Sequence, residues 1–208
     1  MGYHAHWGYG HMFKTDEELE TIARNFLRQI GLEFQVRPDM MTVISKLKHK
    51  VPSFKYERVP DADMPNAEAQ WLSEDFLLRM RESVFVGMQN GQARARMTVA
   101  HELSHYLLRH KGLLNRSTQK TITEIAVAQV RRQESEARRL GPVILAPEYL
   151  VPEGATVEII VDVFGLSAEA ATYRKDEVEA IRRRARGQGR PLPASIANYL
   201  EESKRRGR

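Results

Sequence analysis

The chain contains no cysteine. Disulfides, thiolate metal sites and cysteine nucleophiles are therefore excluded. No apolar run approaches the roughly 18 residues that a bilayer span requires. The N-terminus has no basic flank leading into an apolar stretch, so no secretory signal is visible. No internal repeat is present. These absences fit a cytosolic protein. What remains is ordinary for a globular chain: 208 residues, 42% hydrophobic and 28% charged. That length supports one compact domain with a core, or a domain with a small appendage.

The first twelve residues, "MGYHAHWGYGHM", are rich in Gly, His and aromatics and follow neither helical nor strand period. They read as an expression leader before a native start at Met12, with His4, His6 and His11 able to bind metal only adventitiously. Charge is uneven. From Arg174 onward there are 11 Lys/Arg against 5 Asp/Glu, so the whole excess of a +5 chain lies in that segment. Such a segment can attract nucleic acid or acidic partners.

"TDEELETIARNFLRQIG" predicts a helix capped at Thr15 or Asp16, with an apolar period through Leu19, Ile22, Ala23, Phe26, Leu27 and Ile30. A second, shorter helix starts near Pro38. "SFKYERV" alternates as a strand, and "DADMPNAEAQ" reads as a polar loop. "FLLRMRESVFVGM", residues 76 to 88, reads as one bent strand or two short ones because "SVFVG" is β-prone. Asn90-Gly91 supplies a turn. A helix then runs from Arg94 to about Arg109, with Gly112 as its stop. Another spans Ser117 or Thr118 to Gly141-Pro142. "VEIIVDV" passes as a buried strand by propensity, but Gly165 and the helical "SAEAA" after it also allow a helix-turn-helix arrangement. A short helix closes the chain.

The chemistry is concentrated in "HELSH". On a helix His101 and His105 share a face, so two imidazoles can meet one ion. Glu102 lies about 100° round the helix. There it reaches a water at such an ion without ligating it, the general-base geometry of H-E-x-x-H metalloproteases. The alternative is an amphipathic helix that carries histidines without a metal. A zinc protease also needs a third protein ligand. The metzincin pattern would place it at the position of Lys111, with Gly at that of Leu108, so that class is excluded. His110 lies nine residues beyond His101, about 180° away, and reads as a helix-end residue. The next helix offers Glu134 and Glu136. Glu136 sits on the shoulder of the stripe Ala126, Val130, Ala137 and Leu140, facing a neighbouring helix. Glu134 is about 200° from it.

Two blocks, "RARMTVAHELSHYLL" and "ESEARRLGPVILAP", resemble the ImmA/IrrE-type zinc metallopeptidases of bacteria. "FGLSAEAATYR" resembles a further family stretch, with Ser167 and Arg174 at recurring positions. The likeness covers most of residues 13 to 180. It departs at Ser104 (usually Gly), Arg109 (often His), Arg138 (commonly Asn) and Ala146 (commonly Met). The resemblance implies that Glu136 takes the place of the third zinc ligand and Glu134 that of a non-ligating neighbour. It also implies a dedicated regulatory protease that cleaves a transcriptional repressor, often one with a helix-turn-helix domain, and so releases stress, mobile-element or phage-defence genes.

The expected fold is α+β. A small, largely antiparallel sheet from roughly residues 53 to 88 packs on an HExxH helix and a second zinc-ligand helix, with a helical basic C-terminal appendage. The expected divisions are 1–12 as leader, 13–150 as metallopeptidase domain and 151–208 as helical C-terminal region. The expected site is Zn²⁺, or another divalent ion such as Mn²⁺, on His101, His105 and Glu136, with Glu102 as general base in peptide-bond hydrolysis. "ESVFVGM" is the expected edge for an extended substrate. Tyr173 and Arg174 are candidates to stabilise the oxyanion. The expected partner is a protein substrate, with nucleic acid a candidate contact for the basic tail and no membrane. Two rivals are a DNA-binding regulator with a structural zinc and a small-molecule zinc hydrolase.

Overall fold

The computed structural model describes residues 13–110, 124–189 and 195–196. The leader, the cap at Ser117 or Thr118, the stop at Gly112 and nearly all of the final helix lie outside the described residues. The described part is α+β. Its elements are α1 (Asp16–Gln29), α2 (Met40–Lys50), β1 (Lys55–Val59), β2 (Ala69–Leu72), β3 (Leu77–Arg81), α3 (Glu82–Gln89), α4 (Ala93–Leu107), α5 (Glu124–Leu145), α6 (Val157–Phe164) and α7 (Ala168–Ala185). Among the described residues no helix is long and apolar enough to cross a membrane.

α1 forms where its periodicity places it. Thr15 caps it in a full capping box with Glu18, acidic residues fill its first turn, and Leu19, Ala23, Phe26 and Leu27 of its apolar stripe are buried. Asp39 caps α2 through the Thr42 N–H.

The sheet has the order β1-β3-β2. It is mixed rather than largely antiparallel: β1 runs parallel to β3, and β2 antiparallel to it. The reason lies in the segment read as a polar loop. A 3-10 turn at Asp61–Asp63 carries the chain past the place of β3, and Ala69–Leu72 then forms the far edge. β3 enters between the two earlier strands, with Leu78 and Met80 fully buried on one face.

"SVFVG" is not a strand. It lies in α3, where Val84, Phe85 and Met88 are buried at helical spacing. A Cβ on Gly87 would sit 3.0 Å from the Ala95 Cβ, so α3 packs closely on α4 and burial overrides β propensity. α5 does not stop at Gly141-Pro142 either. It continues to Leu145 with Pro142 inside it. Val143, Ile144 and Leu145 are all buried, and their packing holds the last turn despite the lost Pro N–H.

The ambiguous "VEIIVDV" is helical. Thr156 caps α6 and Gly165 ends it at φ 65. α7 follows, capped by Ser167. These helices are no appendage: Ile160, Phe164, Ala171 and Val178 belong to the same core as α1, α4 and α5. Within the described part of the basic segment, many cations are paired with acids. Arg182 pairs with Glu148, Arg184 with Asp16 and Glu17, Arg186 with Glu153, and Lys175 and Arg183 with Glu179.

Arg174 ties this layer together. Its side chain is 1% exposed. Its guanidinium donates to the Ala146 carbonyl just beyond α5, to Glu20 of α1 and to Glu177 of its own helix. Arg174 is thus committed to three acceptors in the fold and is not an oxyanion donor. Tyr173, the other candidate, is exposed on α7. Removing Arg174 leaves the Glu20 carboxylate, whose pKa burial already raises, without its cation. Arg174→Ala is expected to destabilise the protein by about 3 kcal/mol, the lower end for breaking a buried pair. A denaturant titration measures this, and a loss under 1 kcal/mol would make the arginine peripheral.

Candidate metal centre

α4 presents His101 and His105 one turn apart, each partly buried. Their Nε2 atoms lie 3.1 Å apart. Opposite them stands Glu134 of α5, with Oε2 3.4 Å from His101 Nε2 and Oε1 3.4 Å from His105 Nε2. These three are the group among the described residues whose ligand atoms converge, all within 4.8 Å of one another. Burial depresses both histidine pKa values. That of His105 falls to about 3, with His101 and His110 adding to the effect; for His101, Glu134 acts in the opposite sense. Both rings are therefore neutral at physiological pH, the form that ligates metal.

The residues fit a zinc ion. Ligands at about 2.0–2.1 Å in a tetrahedral array stand roughly 3.3–3.4 Å from one another. The two Nε2 atoms, 3.1 Å apart, stand close to that edge length, and the Glu134 carboxylate spans the pair with a different oxygen 3.4 Å from each. Two imidazole nitrogens and a carboxylate also leave a fourth position, as catalytic zinc sites do.

The carboxylate that converges with the two histidines is Glu134, and the expected ligand Glu136 lies outside that group. Helix register explains the correction. A Cβ on Gly141 would lie 3.5 Å from the His101 backbone nitrogen, so this stripe of α5 faces α4. Glu134 precedes Gly141 by seven residues and lies within about 20° of it round the helix. Glu136 precedes it by five and lies about 140° away. It points toward the start of α1. There it accepts from the Lys14 N–H at 3.3 Å and from Arg132 Nε at 3.4 Å.

His110 is drawn in as well. α4 ends in a Schellman motif: the His110 N–H donates to the His105 carbonyl at 2.9 Å and the Arg109 N–H to that of Tyr106 at 3.1 Å. Arg109, not a glycine, holds the left-handed position at φ 55. The chain turns back and places His110 Nδ1 3.0 Å from His105 Nδ1. Counting residues along an uninterrupted helix puts His110 on the far side. Without glycine at position 109, nothing in the sequence marked the reversal.

Glu102 lies beside the cluster and outside it. Its Oε2 accepts the Trp71 N–H of β2 at 2.7 Å. Burial pushes its carboxyl up to about 8; the Trp71 bond opposes this and Glu134 adds to it. A cleft of about 510 Å³ opens next to His101 and Glu102, bordered by Ala67, Glu68 and Ala69 at β2, by Met97 and Thr98 of α4, and by Ser167.

No family model matches the chain, and no curated protein matches it. Among solved structures, a Mycobacterium tuberculosis transcriptional regulator is similar, with a TM-score of 0.48 and 13% identity over 78% of this chain and 47% of that one. The chain spans less than half the length of that protein. A likeness at this level bears on neither family nor activity.

Proposed function

We propose that the chain is a zinc-dependent endopeptidase. The observation that carries the reading is the juxtaposition of Glu102 with the His101–His105–Glu134 group at the rim of an open cleft. Bound Zn²⁺ supplies a Lewis acid that polarises a carbonyl oxygen and brings the pKa of water toward about 7. Glu102 is the proton carrier. One carboxylate oxygen is fixed by the Trp71 N–H; the charge of a bound dication would bring the raised Glu102 pKa down, leaving the other oxygen to take a proton from water and return it to the leaving amine.

The substrate edge moves from "ESVFVGM", which is helical, to β2. The Arg81 N–H donates to the Glu68 carbonyl, so Glu68, Gln70 and Leu72 turn their polar groups toward β3. Ala69 and Trp71 turn theirs outward. Trp71 gives its N–H to Glu102, and Ala69 borders the cleft. An extended peptide can add there as a further strand. That the natural substrate is a helix-turn-helix repressor rests on the family resemblance alone.

The test is digestion of a proteome-derived peptide library, followed by mass spectrometry of new termini. Zinc-loaded protein is expected to produce cleavages that chelation abolishes and added zinc restores. Metal binding without cleavage, accompanied by DNA affinity, would favour a regulator with a structural zinc. Turnover of small esters or amides alone would favour a small-molecule hydrolase.

A further inference from the structure

His110 and Glu136 are both buried, at 7% exposure each, and no part of the reaction just described uses them. They are joined to the centre by a continuous line of contacts. His105 Nδ1 meets His110 Nδ1 at 3.0 Å, and His110 Nε2 meets Glu136 Oε2 at 3.3 Å. We propose that His110 and Glu136 are positioning residues for the metal, holding His105 in the ring orientation and tautomer that ligation requires.

The direction of the line follows from donor and acceptor chemistry. The Glu136 carboxylate only accepts, so His110 Nε2 carries the proton that faces it. A neutral His110 then has a bare Nδ1, which accepts. His105 must therefore keep its proton on Nδ1 and donate it to His110. Its Nε2 is left with a free lone pair, and Nε2 is the atom that lies 3.1 Å from His101 Nε2 and 3.4 Å from Glu134. This protonation pattern satisfies both contacts of the line and leaves His105 Nε2 bare, as a metal needs. Outer partners of this kind fix ligand tautomer and raise ligand basicity. Here the carboxylate acts through an intervening imidazole, which extends its reach from α5 to α4.

The far end is anchored too. Glu136 accepts from the Lys14 N–H immediately before α1 and from Arg132 one turn earlier. Arg139, on the following turn, donates to the Lys14 carbonyl at 2.8 Å and to Asp16 at 2.6 Å. The start of α1 is thereby coupled to the orientation of a metal ligand.

The inference rests on the metal-centre reading, and the experiment separates the two. Zinc affinity of the full chain is measured by competition with a chromophoric chelator for wild type, Glu136→Gln, His110→Ala and His110→Asn. Folding is monitored by circular dichroism and melting temperature. Wild type is expected to bind one zinc at this centre. Glu136→Gln and His110→Ala are expected to bind about 10–100-fold more weakly while remaining folded. His110→Asn, whose Oδ1 can stand where Nδ1 stood, is expected to recover part of the loss seen with Ala. Long-range ¹H–¹⁵N spectra of the zinc-loaded wild type supply a readout independent of any variant: His105 is expected to carry its proton on Nδ1. Unchanged affinity in folded variants, or a His105 protonated on Nε2, overturns the positioning role and leaves the centre intact. A wild type that binds no zinc there removes the centre and this role together.

Discussion

Glu134→Ala is expected to leave the chain with little or no zinc at physiological concentrations. The loss should exceed the roughly 10–100-fold that an outer partner is worth, because a ligand to the ion itself is removed. Glu136→Ala is expected to fall inside that range. The contrast follows from distance. Glu134 brings one carboxylate oxygen to 3.4 Å from each histidine, whereas Glu136 meets His110, Lys14 and Arg132. Elemental analysis after dialysis against a moderate chelator distinguishes them. Retention of zinc by Glu134→Ala together with its loss from Glu136→Ala would reverse the assignment, and would mean that α5 is rotated by about 160° between the two acids. The fold should survive the Glu134 change. That side chain is partly exposed, and its removal relieves the cluster of a carboxylate that only a cation repays.

The part of the centre written in local spacing was legible. His101, Glu102 and His105 lie within one helical turn and a half, so their mutual placement depends on helix geometry alone. The third acid depends on which face of α5 meets α4. That is a tertiary fact, and the cue was misread at Gly141-Pro142. A Gly-Pro pair ordinarily ends a helix; here it lies inside one, with Gly141 on the face that meets α4. The resemblance aligns Glu136 with the ligand, whereas Glu134 is the acid that meets the two histidines.

Two strands of evidence in the sequence pulled the wrong way for physical reasons that can be named. "SVFVG" has β-branched and aromatic residues, but Val84, Phe85 and Met88 bury at helical spacing against α4 and neighbouring elements. "DADMPNAEAQ" read as a polar loop because the strand that starts at its end, β2, is short and only Ala69 and Trp71 of it are buried. Yet β2 is the strand that meets the candidate centre, since its Trp71 N–H donates to Glu102. A backbone donor leaves no trace in the identity of its residue, so sequence reading could not find it.

The charge asymmetry shows the same limit in reverse. The excess after Tyr173 is plain in the sequence, but its described portion meets acids that are far away along the chain. Arg184 reaches Asp16 and Glu17, and Arg182 reaches Glu148. Exposed pairs of this kind contribute little stability each.

Glu102→Gln is expected to retain zinc and to lose cleavage by about 10²–10⁴-fold, the contribution of a positioned general base. The amide has the size of the carboxylate and can still accept the Trp71 N–H, so β2 and the cleft should keep their form. It is not one of the three converging ligands, so metal content should match wild type. What the amide cannot do is take a proton from water and deliver it to the departing nitrogen. The measurement is the initial rate on the best peptide from the library, at equal zinc occupancy confirmed by elemental analysis. The effect should fall on kcat more than on KM, since the carboxylate serves the transition state rather than peptide binding. A variant with full zinc and an undiminished rate would remove Glu102 from the chemistry. A variant that loses zinc instead would make Glu102 a ligand.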